Sequence, residues 1–320
     1  METYRHTSLI YNPFAGGLRR RSRALQRAIE SLAARGIAVD SIPTTGPRTA
    51  SDLARRAIDR GADLILAAGG DGTINEVVNG MVHSHVPLGI LPAGTANVLA
   101  NELGISRNLE NAAGALDHCT EERIALGLLS TAAVSRHFLL MAGAGLDADI
   151  VFHVNQKMKN ALGKVAYWIA GLQKFGRALP EFTVEAEGRT FRVSFALASR
   201  VRNYGGDLEI ARTISLFDDH FELVLFEGAH SFFYAKYLLG VLVRRHHVMR
   251  GVTILDTAKA VFSCPAERRV HLQVDGEYAG LLPAAVEIVP DALTLLIPPE
   301  FRNRRPARTA NPAWTTSHTR

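Results

Sequence analysis

The sequence predicts two units: an α/β domain built on a parallel sheet, followed by a β-rich sandwich. Three observations carry that prediction. From residue 8 to 127 short apolar runs alternate with helical periodicity, a pattern that implies parallel strands with helices on both faces. From His137 onward apolar stretches recur at short spacing and often alternate, the mark of an antiparallel sandwich or barrel. The 320 residues also exceed the usual size of one domain. The boundary falls near residue 130, which gives units of 1–130 and 131–303 and a basic, disordered tail over 304–320.

In the first unit, Ser8 to Tyr11 reads as a strand and Arg19 to Arg35 as an amphipathic helix with Leu25, Ile29 and Leu32 on one face. Ile37 to Ile42 follows as a strand and Ala50 to Arg60 as a helix. Leu64 to Ala68 and Pro87 to Leu91 are further strands, each running into a glycine loop and then a helix, the first of these helices starting near Thr73. In the second unit the strand candidates are Phe138 to Ala142, Phe182 to Val184, Phe191 to Ala198, Phe221 to Phe226, Val252 to Leu255, Ala258 to Phe262, Val270 to Val274, Ala285 to Val289 and Leu293 to Ile297. Two helices interrupt them, at about Asp149 to Arg177 and at His230 to His247. The second joins an apolar body to a basic end; it reads first as a domain-packing helix, with a membrane-surface helix as the alternative.

Four segments with phosphate-friendly chemistry stand where strands end: Tyr11 to Gly17 (YNPFAGG), Thr44 and Thr45, Gly69 to Gly80 (GGDGTINEVVNG), and Leu91 to Gly104 (LPAGTANVLANELG). In parallel sheets ligands bind beyond those carboxyl ends. Glycines let backbone amides close on an anion, and a following helix N-terminus adds partial positive charge. The hydroxyls of Thr45, Thr73 and Thr95 and the amides of Gly16, Gly70 and Gly72 are the candidate donors. Asp71 would repel a bare phosphate, so its presence implies a metal or a partnered base. Near the C-terminus, HLQVDGEYAG offers two readings. Asp275-Gly276 is a hairpin turn signal; alternatively, if the strand continues, Asp275 and Glu277 share one face and a carboxylate there can take a proton from a hydroxyl.

Composition excludes several classes. The two cysteines, Cys119 and Cys264, are far apart and outside any CxxC or Cys/His cluster, which argues for a reduced cytosolic protein without structural zinc. No basic, apolar leader opens the sequence and no apolar run is long enough to span a bilayer. Of the net charge of +5, all comes from residues 301–320, which hold five arginines and no acid. Aromatics are not interleaved with that charge, so no nucleic-acid surface is expected.

With the NP-x-x-GG opening, GGDGT, PxGTxN and the late DGE in this order, the chain resembles the lipid kinase family that includes soluble bacterial diacylglycerol kinases and the sphingosine and ceramide kinases. The resemblance spans roughly residues 5 to 300, and the nucleotide loop is similar to that of 6-phosphofructokinase and NAD kinase. It implies an ATP-binding α/β domain, a β-rich second domain, and an active site in the cleft between them. It further implies ATP and Mg²⁺ as cofactors and a lipid substrate met at the inner face of the membrane by a cytoplasmic protein in peripheral contact, with room for a homodimer. By position, Asn12, Pro13, Gly16, Thr45, Gly69, Gly70, Asp71, Gly72, Thr73, Ile74, Asn75 and Thr95 would hold the nucleotide. Glu277, with Asp275, would act as the base on the lipid hydroxyl, and Asp218 with the carbonyls of Ser215 and His220 would bind a structural Mg²⁺. The chain departs from the family at Val98 and Ala125, where acids are usual, and at Arg212 and Asp219, where proline and glycine are usual. Two other readings stand beside this one: a kinase of the NAD kinase type acting on a soluble substrate, and a non-catalytic nucleotide- or lipid-binding regulator.

Overall fold

The computed structural model describes residues 4–16, 18, 22–153, 179–204, 208–229 and 232–303. The tail over 304–320 and most of the helix expected from Asp149 to Arg177 lie outside the described residues.

Strands β1 (Thr7–Tyr11), β2 (Val39–Pro43), β3 (Leu64–Gly69) and β4 (Leu88–Pro92) pair in parallel in the order β2-β1-β3-β4. They alternate with α1 (Ser22–Ala33), α2 (Ala50–Asp59) and α3 (Asp71–Met81), and α4 (Val98–Leu103) and α5 (Leu109–Ala115) follow β4. Every residue of β3 is buried, because helices cover both faces of the sheet. Successive side chains take opposite faces: Leu9, Leu64 and Leu66 pack with Leu25, Ala28 and Leu32 of α1, whereas Ile10, Ile65 and Ala67 pack with Ala54, Val77 and Val78 of α2 and α3. Helix α3 begins at Asp71, ahead of the expected Thr73, since extended Gly70 (φ −87°, ψ 177°) already stands at its N-cap.

The second half supplies β5 (Thr120–Ser130), β6 (Ser135–Phe138), β7 (Met141–Gly145), α6 (Leu146–His153), β8 (Phe182–Ala186), β9 (Arg189–Val193), β10 (Phe195–Ser199), β11 (Asn203–Tyr204) and β12 (Leu208–Glu209). It continues with β13 (Phe221–Phe226), α7 (Phe232–Leu242), β14 (Val252–Thr257), β15 (Lys259–Ser263), β16 (His271–Val274), β17 (Glu277–Leu281), β18 (Ala284–Ile297) and α8 (Pro299–Arg302). One sheet runs β14-β13-β10-β7-β16-β17 and is antiparallel throughout. It packs face to face on β18, β15, β8 and β9 through a core that includes Phe138, Phe182, Phe221, Leu223, Phe262 and Leu272. The expected sandwich is therefore present, with different strand limits.

Phe138 to Ala142 is not one strand: β6 belongs to the first sheet and β7 to the second, with a corner at Leu139 and Leu140. Phe191 to Ala198 divides in the same way at Ser194, whose N–H donates to the Phe226 carbonyl at 3.0 Å. The first corner, at Leu139 and Leu140, is apolar throughout, and the second is marked by the single residue Ser194 between Val193 and Phe195, so neither stands out as a break in the sequence. Conversely, Ala285 to Val289 and Leu293 to Ile297 are one strand. β18 bends at a register shift between Val289 and Leu293, where Asp291 takes φ 48°. Below the bend it pairs antiparallel with β15, above it Leu295 lies parallel to Leu88 of β4, and along its length it pairs with β5. A single strand thus joins the parallel sheet to the sandwich.

Candidate active site

The loops after β1, β3 and β4 converge at the carboxyl edge of the parallel sheet. The Asn12 N–H donates to the Ala68 carbonyl at 3.0 Å, its Nδ2 reaches Thr73 Oγ1 at 3.4 Å, and its Oδ1 accepts the Phe14 N–H at 2.9 Å. The first loop is therefore tied to the third. The loops of Gly70 and Gly94 touch backbone to backbone: a methyl on Gly94 would overlap the Gly70 Cα and crowd Asn97 Oδ1. Buried Asn97, in the left-handed region at φ 50°, closes this turn by accepting the Gly94 N–H at 2.8 Å and donating to the Gly94 carbonyl at 3.0 Å. Asparagine tolerates that conformation better than other side chains. Gly16 faces Thr95, with 3.9 Å between a methyl placed there and the threonine hydroxyl. Pro13 belongs to the same turn, whereas Thr45 lies exposed beyond β2 at the outer edge of the sheet.

Within the GGDGT loop the side chains separate. Gly69 ends β3, Gly70 and Gly72 present backbone, and Ile74 points into the core. Asp71 Oδ1 accepts the Leu99 N–H at 3.3 Å. Burial raises its carboxyl above the usual range, and the amides of Val98 and Leu99 oppose that rise. The charge of Asp71 is thus met in part by the N–H groups that open α4. Asn75 is buried and turns away from the loops, donating to Asp275 Oδ2 at 2.7 Å and to the His137 carbonyl at 3.1 Å.

At the DGE segment the hairpin reading holds. Asp275 (φ 48°) and Gly276 (φ 77°) both take positive φ between β16 and β17, as a tight hairpin turn requires. The strand does not continue, so the shared face expected for Asp275 and Glu277 is absent. Asp275 is 8% exposed and accepts four hydrogen bonds, from Asn75 and from the N–H groups of Leu139, Leu140 and Met141 at 2.9 to 3.0 Å. Those three amides belong to the corner between β6 and β7, where the chain changes sheets. Burial pushes the Asp275 carboxyl up to about 6, against the pull of these amides and Arg136. Asp275 thus pins the corner between the two sheets.

Glu277 is placed differently. Its side chain is 40% exposed, Oε2 accepts from Arg136 Nη2 at 2.7 Å, and its carboxylate lies so close over Gly72 that a methyl there would collide with Oε1. Arg136 also donates to Asn75 Oδ1 from Nε at 2.9 Å and from Nη2 at 2.7 Å. Asn79 adds a reciprocal pair with the His137 backbone at 2.9 Å in each direction. The first turn of α3, β6 and the DGE hairpin therefore form one bonded unit. Sequence reasoning missed Arg136, a lone arginine in a short strand; Asn75 and Asn79, one helical turn apart, were a signal for a bonded face of α3.

Both halves of this fold have known relatives. Residues 6–129 match the diacylglycerol kinase catalytic domain, and residues 141–297 match the YegS C-terminal NAD kinase beta sandwich-like domain. A diacylglycerol kinase of Bacillus subtilis is 30% identical over 281 residues, covering 86% of this chain and 90% of that protein. The chain belongs to the diacylglycerol kinase family. As such it is a lipid kinase with a kinase's requirement for ATP. A second relative, the diacylglycerol kinase of Staphylococcus haemolyticus, is 28% identical and covers 86% of the kinase and 83% of its own length. A diacylglycerol kinase structure from Bacillus anthracis shares the fold, with a TM-score of 0.76 at 19% identity over 94% of the kinase and 99% of that chain.

The Ser215–His220 turn of the kinase lies in the second half. The Ser215 N–H donates to Asp218 Oδ2 at 2.8 Å and the Asp218 N–H to the Ser215 carbonyl at 3.0 Å. Beneath it, fully buried Arg200 donates to the Asp218 carbonyl at 3.0 Å and the Leu216 carbonyl at 2.9 Å. Val98 and Ala125, where the resemblance leads to the expectation of acids, are both buried. Among the described residues no three histidine, cysteine, aspartate or glutamate side chains converge as metal ligands, and no helix is long and apolar enough to cross a membrane. A cavity of about 510 Å³, lined by Arg212, Glu222, His247 and Asp256 among others, opens at β14. β14 and β17 are opposite edges of their sheet, so that cavity is remote from Glu277.

Proposed function

We propose that the kinase transfers the γ-phosphoryl group of ATP to the hydroxyl of a diacylglycerol-like lipid at the cytoplasmic face of the membrane, with residues 1–130 holding the nucleotide and residues 131–303 the lipid. The observation that carries this reading is the seat of the Glu277 carboxylate over Gly72. It puts the one half-exposed acid of the DGE hairpin against the loop proposed to hold phosphate.

In this reading the amides of Gly16, Gly70 and Gly72 and the hydroxyls of Thr73 and Thr95 orient the phosphates, with Asn12 and Pro13 shaping the first loop and Thr45 at the rim. Glu277 takes the proton from the lipid hydroxyl as its oxygen attacks phosphorus and the bond to ADP breaks. Arg136 holds Glu277 in place from the fixed platform of Asn75. Mg²⁺, when bound with ATP, neutralises charge on the phosphates; Asp71 is the acid of the loop that would hold it. Asp218 and the carbonyls of Ser215 and His220 offer the hard oxygen donors that a structural Mg²⁺ takes.

Labelled ATP with Mg²⁺, offered to diacylglycerol, ceramide, sphingosine, phosphatidylglycerol and NAD, tests the reading. Label on diacylglycerol supports it; label confined to NAD, or ATP binding without transfer, would overturn it. The loop contact makes a second prediction. Gly94→Ala must part the Gly70 and Gly94 backbones, so ATP affinity should fall about tenfold or more by calorimetric titration. Overpacking of this kind costs about 1–3 kcal/mol.

A further inference from the structure

We infer that the outward face of α7 and the turn after it form a docking surface for an anionic lipid bilayer, separate from the catalytic cleft. This deepens the proposal of a membrane-borne substrate and rests on it. Helix α7 turns Tyr237 and Val241 into the core, where Tyr237 stacks on Phe226 at 4.8 Å and its hydroxyl donates to the Glu227 carbonyl at 3.0 Å. Three and four residues apart, Lys236, Leu239, Leu242 and Val243 then share the other face and are exposed. With Val248 beyond the helix, these apolar side chains are 53 to 71% exposed. Four large aliphatic groups left in water on one short segment mark an interaction surface.

Charge selects the occupant. From His230 to Gly251 the sequence holds Lys236, Arg244, Arg245 and Arg250, three histidines and no acid. Arg244 pairs with Glu209 at 3.4 Å, and Lys236, Arg245 and Arg250 are exposed beside the aliphatic side chains. Two copies meeting through this face by a twofold axis would bring like charges together. An anionic bilayer accepts the aliphatic groups among its acyl chains and the cations among its headgroups. The packing that sequence reasoning assigned to this helix is real on one face, and the membrane-surface alternative describes the other. Since α7 stands over β13 whereas Glu277 opens β17, the face anchors the enzyme and leaves the chemical step to the cleft.

The test compares wild type with Leu239→Glu/Val243→Glu and, separately, with Arg245→Glu/Arg250→Glu. Flotation with phosphatidylglycerol-containing vesicles should fall at least tenfold in both variants. Binding of wild type to pure phosphatidylcholine vesicles should be weaker than to the anionic ones. Transfer to a short-chain diacylglycerol dispersed in detergent should be unchanged, since neither pair touches the cleft. Flotation of both variants at the wild-type level would overturn the docking surface, as would a wild-type dimer in sedimentation that the first variant dissociates. Failure of wild type to phosphorylate any lipid while still floating would overturn the reaction and leave the surface standing.

Discussion

Glu277→Gln should lower phosphoryl transfer by about two to four orders of magnitude, the usual worth of a positioned general base, while ATP affinity stays within a few fold. Glutamine keeps the volume over Gly72 and one oxygen for Arg136, so the hairpin and the first turn of α3 should retain their geometry. It cannot accept a proton from the lipid hydroxyl. Steady-state rates on dispersed diacylglycerol, read beside ATP titration, separate these effects. A loss of less than tenfold in kcat would remove the base role. Arg136→Ala acts through Glu277 and should reduce kcat by less, with ATP affinity kept and part of the rate returning in Arg136→Lys, which restores a cation beside the carboxylate.

The largest effect on stability should come from Arg200→Met. The guanidinium is fully buried, holds two carbonyls of the Ser215–His220 turn, and faces Asp218 and Asp219. Burial lowers its pKa to about 10, so it remains charged at neutral pH. Methionine keeps the packing stem but strands both carbonyls. Leaving two carbonyls without their charged donor costs about 1–3 kcal/mol for each. For a protein of this size that is of the order of 10 °C in melting temperature. Lysine should not rescue it, because a single ammonium cannot reproduce a planar fork on two carbonyls. If Mg²⁺ occupies the same turn, its addition should restore part of the loss in Arg200→Met, and melting curves with and without chelator would show it. A variant as stable as wild type would mean that the turn carries no charge balance of consequence.

The parallel sheet was legible in the sequence because β1, β3 and β4 are apolar runs that end in glycine-containing loops, and local chemistry sets both. The DGE hairpin was legible for the same reason, since Asp275-Gly276 needs only its own turn preference. What escaped depends on partners distant in sequence. Asn75 meets Asp275 across 200 residues, and the importance of Arg136 lies wholly in where those two are placed. Nor does any local property announce a corner. The N–H groups of Leu139, Leu140 and Met141 are satisfied by a carboxylate from another hairpin, so the sequence there reads as continuous strand. β18 shows the reverse error: Pro290 and Asp291 look like a break, yet the chain bends there and the pairing resumes.

That long strand also bears on how the protein is made. The parallel sheet of the first half is flanked by β18, the last strand among the described residues, and β5 finds its long antiparallel partner in the same segment. Until β18 has been made, the first 130 residues therefore have the edge of β4 and most of β5 uncovered. Uncovered edges of this kind invite pairing between chains. A fragment ending at residue 130 would keep them permanently, and should aggregate rather than serve as a free-standing ATP-binding module. The two halves, matched by separate family descriptions, share one sheet.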